Sequence, residues 1–276
     1  MTRAGAAAAS PVVETQPALG VVAPLLAEAR CLVPQPRPAG MHRSGRCLVA
    51  VSGVGPEAAG AAAESLAAAG CRLLVSFGTA GALDASLDSG DLLLTSVCVQ
   101  AGEPAARVAE STKDASQKDR SAPVEALVSA LVAATAACGE PRVLCQAPIL
   151  SVPRVVADPA TRAALAVGSG ASAIDMESAA IAEVAARRGL GFLAIRAIVD
   201  TVSGPLPQGL EGLVDRWGRP RLRLALALLA RPWLLSSLLP LARRMAHARR
   251  TLTACAPCLC ATSPRPSGRP FEAGTP

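Results

Sequence analysis

Glu177 and Asp200 are the residues of this chain best placed to do chemistry. Glu177 lies in Ala173-Ile174-Asp175-Met176-Glu177-Ser178-Ala179-Ala180-Ile181-Ala182 and opens a helix in which Ala180, Ile181, Val184 and Ala185 recur at helical spacing. One helix length later, Phe192-Leu193-Ala194-Ile195-Arg196-Ala197-Ile198-Val199-Asp200 reads as a buried strand with a carboxylate at its end. Ligand-facing residues emerge at such strand ends in open parallel sheets. A lone carboxylate at either place is more often a helix cap or a turn residue. Two of them at the edges of one α/β unit can divide acid–base work. A carboxyl at an apolar strand end keeps its proton to higher pH and can donate it, while a second can accept hydrogen bonds from hydroxyls and offset a developing positive charge.

The elements that must position these groups alternate along the chain. Residues 19–23 read as a strand, 25–32 as a helical stretch and 46–52 as a second strand closed by Gly53-Val54-Gly55-Pro56. A small-residue helix over 57–69 ends at Gly70, and a third strand over 72–77 runs into the Gly-rich turn Gly78-Thr79-Ala80-Gly81. Residues 91–100 read as a further strand, 101–122 as a polar loop, 123–137 as a helix, and 141–151 as a stretch containing a strand. Strands alternating with helices, with Gly-rich turns at strand ends, indicate an α/β domain. Residues 1–18 form an Ala-rich leader, expected to be disordered, without a large apolar stretch or cleavage site, so secretion is not expected.

Of the 276 residues 51% are apolar, ample for a core, but with no Tyr, three Phe and two Trp that core must be Ala, Leu and Val. The nine cysteines have no framework spacing through the main body, which favours a reducing compartment and buried thiols. Cys255-x-x-Cys258-x-Cys260 has only His247 nearby in a Pro-rich segment, and no metal is expected there. Charge is uneven: residues 1–215 hold 16 Lys and Arg against 20 acids, whereas residues 216–276 hold 11 Arg against Glu272 alone. The net charge of +6 is therefore a property of the C-terminal part, which points to an anionic surface as its partner.

The Met176-Glu177-x-x-Ala180 helix start and the Arg196-Ala197-x-x-Asp200 strand end together resemble the nucleoside phosphorylase and nucleosidase superfamily. Val51-Ser52-Gly53-Val54-Gly55, Ser76-Phe77-Gly78-Thr79-Ala80-Gly81-Ala82-Leu83 and Gly90-Asp91 extend the likeness over residues 19–200. It implies a single-domain, nucleoside phosphorylase-like α/β fold over residues 19–220, with a central mixed sheet flanked by helices. It also implies cleavage of the N-glycosidic bond of a purine nucleoside, with adenine as the base, and a homo-oligomer. A non-catalytic nucleoside-binding module is the alternative from another class. Under the resemblance Asp200 is the general acid towards the purine N7, and Glu177 accepts the ribose hydroxyls with Met176 on the sugar face. Gly78, Thr79, Val155 and Val156 line the substrate, although close relatives of the methylthioadenosine nucleosidase tend to carry an aromatic where Val155 stands.

The nucleophile separates hydrolysis from phosphorolysis. In the nucleosidase branch a Glu on the first βα segment polarises the attacking water, and Glu28 matches it; a solvated helix carboxylate is the plainer reading of the same residue. Bacterial phosphorylases bind phosphate with arginines. Neither Val75-Ser76-Phe77 nor Pro24-Leu25-Leu26 supplies one, which favours hydrolysis. No cofactor is expected, and phosphate is a co-substrate only under phosphorolysis, held by Thr79 and the amides near Gly53 and Gly55.

Residues 221–250 form a Leu/Arg-rich helical extension and residues 251–276 a Pro-rich tail, expected to be disordered. Such an extension resembles the hopanoid-associated phosphorylase subfamily, implying release of adenine from adenosylhopane. Arg231, Pro232 and Pro240 interrupt the leucines, so the segment is not a transmembrane helix. Trp233 and the flanking arginines suit a peripheral position on anionic lipid, in a cytoplasmic protein at the inner membrane surface. The plainer reading is a last helix covering the domain's own sheet. Nucleic acid is not expected as a partner, because aromatic stacking residues are nearly absent.

Overall fold

The computed structural model describes residues 19–101, 115–137, 141–202, 214–221 and 234–260. Its centre is a ten-stranded mixed sheet. The strands are β1 (Leu19–Ala23), β2 (Met41–Ser44), β3 (Cys47–Val51), β4 (Leu73–Ala82), β5 (Leu92–Thr95), β6 (Cys98–Gln100), β7 (Val143–Cys145), β8 (Ile149–Ser151), β9 (Ala173–Asp175) and β10 (Gly191–Asp200). The helices are α1 (Leu26–Ala29), α2 (Pro56–Ala68), α3 (Ala115–Ala137), α4 (Pro159–Ser169), α5 (Ser178–Arg188) and α6 (Leu234–Cys260).

The main path runs β2-β3-β1-β4-β10-β5-β7, and β9, β8 and β6 branch from the far end of β4. β3, β1, β4 and β10 are parallel to one another, whereas β2 runs antiparallel to β3, β5 antiparallel to β10 and β9 antiparallel to β4. Alternation along the central strands sorts their side chains onto two faces. Val75, Phe77, Leu193, Ile195 and Ala197 join a core with α1, α3 and α6. Leu74, Ala194 and Ile198 join the opposite core with α2 and α5. Arg196 occupies a position of that second, apolar face and is fully buried there.

The α/β class and the central mixed sheet agree with the sequence reading, and several bounds differ. The expected turn at residues 78–81 is strand: β4 runs through it because β10 pairs with it from Leu73 to Gly81. Neither Gly78 nor Gly81 has a positive φ, unlike Gly53 at +83° and Gly55 at +111° in the turn before α2. The expected strand over 91–100 is two strands, and the polar edge strand β2 and helix α4 had no expectation. Of the expected loop 101–122, residues 115–122 belong to α3, and 102–114 lie outside the described residues.

Helix α6 continues to Cys260, so residues 251–260 are not part of a disordered tail. Ala248, Leu252, Cys255 and Leu259 fall at helical spacing and are fully buried against the sheet. Arg46 ties this end down by donating to the carbonyls of Leu259 and Cys258 at 3.1 and 2.8 Å. The leader 1–18 and residues 261–276 lie outside the described residues, as do 222–233 of the Leu/Arg-rich segment. Among the described residues no helix is long and apolar enough to cross a membrane.

Candidate active site

The register of β4 against β10 sets the site. Arg196 lies beside Gly78, and Asp200 beside Gly81. These two glycines serve close approach rather than turning. A Cβ on Gly78 would stand 2.7 Å from both Arg196 Nη1 and Glu28 Oε1, and a Cβ on Gly81 would stand 2.9 Å from Asp200 Oδ2. The two positions are three residues apart on one strand, roughly 10 Å at the usual rise, a span that a nucleoside can bridge.

At the Gly78 end Arg196 is the hub. Its guanidinium pairs with Asp175 at 2.7 Å, reaches Glu177 at 3.7 Å and donates to the Ser76 hydroxyl at 2.6 Å. Glu28, expected from α1, faces this hub and is buried, not solvated. Thr79 donates to its Oε1 from both the backbone N–H and the hydroxyl, each at 2.8 Å, and the Leu25 N–H donates to Oε2 at 2.9 Å. Burial pushes the Glu28 carboxyl above its ordinary range, with Arg196 and these donors pulling it partly back.

Glu177 does not cap its own helix. That task falls to Asp175, which accepts from the Ser178 N–H at 3.1 Å and from the Ser151 and Ser178 hydroxyls. Glu177 instead accepts from the Gly55 N–H at 2.9 Å. Burial raises its carboxyl to about 7, opposed by Arg196 and reinforced by Asp175. The structure therefore brings Glu28, Gly78, Thr79 and Glu177 together around one guanidinium.

Asp200 is buried at the end of β10, where Arg162 of α4 donates to its Oδ2. Arg162 also donates from Nε to the Val156 carbonyl at 2.7 Å, which joins Val156 to Asp200. The expected proton donor is thus held in an ion pair with Arg162. Val155 is 45% exposed. Met176 is half-buried and lines a cleft of about 400 Å³ between α2 and α5 that holds none of the other predicted site residues. The turn amides expected to hold an anion are committed elsewhere: Gly53 N–H to Pro24 O, Val54 N–H to Arg216 O and Gly55 N–H to Glu177.

Asp175, Ser76, Ser178 and Arg162 escaped the sequence reading. Asp175 directly precedes Met176-Glu177, and its spacing of three from Ser178 is a cap signal. Arg162 gave no signal, being one arginine in a short Ala-rich helix.

Residues 26–229 match the family profile of the Phosphorylase superfamily, and the chain belongs to that superfamily. The fold is similar to the 5'-methylthioadenosine/S-adenosylhomocysteine nucleosidase of Neisseria meningitidis, solved with methylthio-immucillin-A. The TM-score is 0.58 at 16% identity, over 87% of this chain and 97% of that one. Futalosine hydrolase of Helicobacter pylori superposes with a TM-score of 0.55 at 18% identity, over 86% and 96% of the two chains. The S-adenosylhomocysteine nucleosidase of Streptococcus pyogenes gives 0.57 at 15% identity, over 86% and 94%. No curated protein sequence matches the chain significantly.

Proposed function

We propose that this protein hydrolyses the N-glycosidic bond of a purine nucleoside. The observation that carries the reading is the convergence of two buried carboxylates, Glu28 and Glu177, on Arg196, one nucleoside length along β4 from a third, Asp200. Glu28, with its raised proton affinity, takes the proton of a water whose oxygen attacks C1′. The C1′–N9 electron pair leaves with the base, which takes up a proton at N7 from Asp200 or from solvent. Glu177 accepts from the ribose hydroxyls and offsets the positive charge on the sugar. The commitment of the Gly53–Gly55 amides to protein acceptors supports water over phosphate as nucleophile.

One observation favours phosphorolysis as a second reading. Arg216 stacks on Trp217 at 4.4 Å, with its Nε 3.3 Å from where a Cβ on Gly53 would lie, so a guanidinium does stand at this turn. Incubation of the purified chain with purine nucleosides in phosphate-free buffer decides between them. Free base and free sugar support hydrolysis; strict phosphate dependence with a sugar 1-phosphate product reverses it. No base release in either buffer leaves the binding-module alternative.

Finer parts of the proposal rest on the resemblance and need their own tests. They are adenine as the base, against which the hydrogen bonding of Arg162 argues below, the lipid-linked substrate of the adenosylhopane type that would carry it, a homo-oligomer, and peripheral contact of residues 221–250 with a membrane. In support of the last, α6 exposes Leu239, Arg243, Arg249 and Arg250. A monodisperse, fully active monomer in light scattering would remove the oligomer.

A further inference from the structure

We infer that Arg162 selects the base, and that the base it selects is a 6-oxopurine; this rests on the purine nucleoside reading above. Helix α4 has one buried side chain, and it is this arginine, 3% exposed. An ion pair at such a place is a weak source of stability, since a well-packed apolar residue often does as well. Three elements nevertheless make room for it. α4 supplies Arg162, β10 ends on Asp200, and β4 carries a glycine at 81, where a Cβ would lie 3.1 Å from Arg162 Nη2.

The hydrogen bonding at this end is lopsided. Nε is taken by the Val156 carbonyl and Nη2 by Asp200, while Nη1 is buried without a partner among the described residues. A buried donor left unmade costs free energy that an acceptor on a ligand restores. Adenine presents a donor, its amino group, at position 6. That donor leaves Nη1 unmade, and the Val156 carbonyl and Asp200 Oδ2 already accept from Arg162. A 6-oxopurine presents O6 and N7 as adjacent acceptors, the edge that a guanidinium matches and an amide does not. As the C1′–N9 bond breaks, its electron pair spreads over the base to N7 and O6. A cation at that edge stabilises the departing base at the moment charge develops. No proton need leave Asp200 for this: the Arg162–Asp200 pair can persist through the reaction, and the base takes its proton from solvent once it has left the guanidinium.

The test is the ratio of kcat/KM for inosine and guanosine to that for adenosine, measured by base release with the full chain. The wild type is expected to favour the 6-oxopurines at least tenfold. Arg162→Gln, whose amide suits adenine's amino group and N7, is expected to swing the ratio at least tenfold towards adenosine. The ratio guards against partial unfolding, which lowers both rates equally. A wild type that prefers adenosine, or a ratio unchanged in both Arg162→Gln and Arg162→Ala, overturns the inference while leaving N-glycosidic cleavage intact. If no nucleoside is cleaved, the proposed reaction fails instead, and calorimetric titration with free hypoxanthine and adenine decides the specificity. Hypoxanthine binding lost in Arg162→Gln supports it; equal or absent binding of the two bases overturns it.

Discussion

Gly78 on β4 and Arg196 on β10 are register partners, and the space a side chain at 78 would fill is held by the Arg196 guanidinium and the Glu28 carboxylate. Gly78→Ala must therefore push one of the two charged groups aside. Overpacking of this kind costs about 1–3 kcal/mol of stability. A displacement of about 1 Å in a reacting group costs on the order of a hundredfold in rate. Urea unfolding and steady-state base release measure the two separately. Undiminished turnover in the alanine variant would remove Glu28 from the reaction.

Arg196 compensates two buried carboxylates at once, Asp175 at 2.7 Å and Glu177 at 3.7 Å. Arg196→Met is expected to cost about 3–5 kcal/mol, because it leaves buried charge unpaired rather than because the pair itself is strongly stabilising. Asp175→Asn in the same background should recover part of that loss. The double-mutant cycle in denaturant reads the coupling directly, and strictly additive losses would contradict it.

The parts of this protein legible in its sequence are those whose period or punctuation is local. The apolar run before Asp200, the Gly53–Gly55 turn and the helical spacing after Glu177 each need only neighbouring residues to be read. The run Gly78–Gly81 misleads because glycine has two uses, turning and close approach, and only the register with β10 shows that the second applies here. Arg162 was invisible for a related reason. Its role depends on a carboxylate 38 residues away and on a missing side chain at 81, neither of which leaves a mark near position 162. The end of α6 differs from its expectation because Pro257 and the prolines after it point to an irregular tail, while Leu252, Cys255 and Leu259 gain their helix from the sheet they cover.

The Glu177 carboxyl, raised by burial from 4.5 to about 7, ties both stability and binding to pH. Between those two values the folded chain holds a proton that the unfolded chain releases. Stability from this group is therefore full below about 4.5 and is lost as pH rises through about 7. Activity moves the other way, since the ribose hydroxyls need the carboxylate: kcat/KM should climb through about pH 7. Glu177→Gln is expected to flatten the stability profile and to lose the rising limb together with at least tenfold in rate. A pH profile of the same shape in wild type and variant would assign the limb to another group.

The two uses proposed for the C-terminal helix separate by face. Its buried stripe, Ala248, Leu252, Cys255 and Leu259, covers the sheet, while Leu239, 55% exposed, stands with Arg249 and Arg250 on exposed positions. Removing the C-terminal segment cannot test membrane contact, because it would also strip α6 from β10. Point substitutions can. Leu252→Ala is expected to cost about 2–5 kcal/mol as a core truncation, with no effect on vesicle binding by the folded fraction. Leu239→Ser combined with Arg249→Ser and Arg250→Ser should stay within about 0.5 kcal/mol per site, yet lose co-sedimentation with anionic vesicles at low salt. Equal sedimentation of this triple variant and the wild type would confine α6 to its packing role. A stability loss in the triple variant as large as that of Leu252→Ala would show that the exposed face packs on the protein itself.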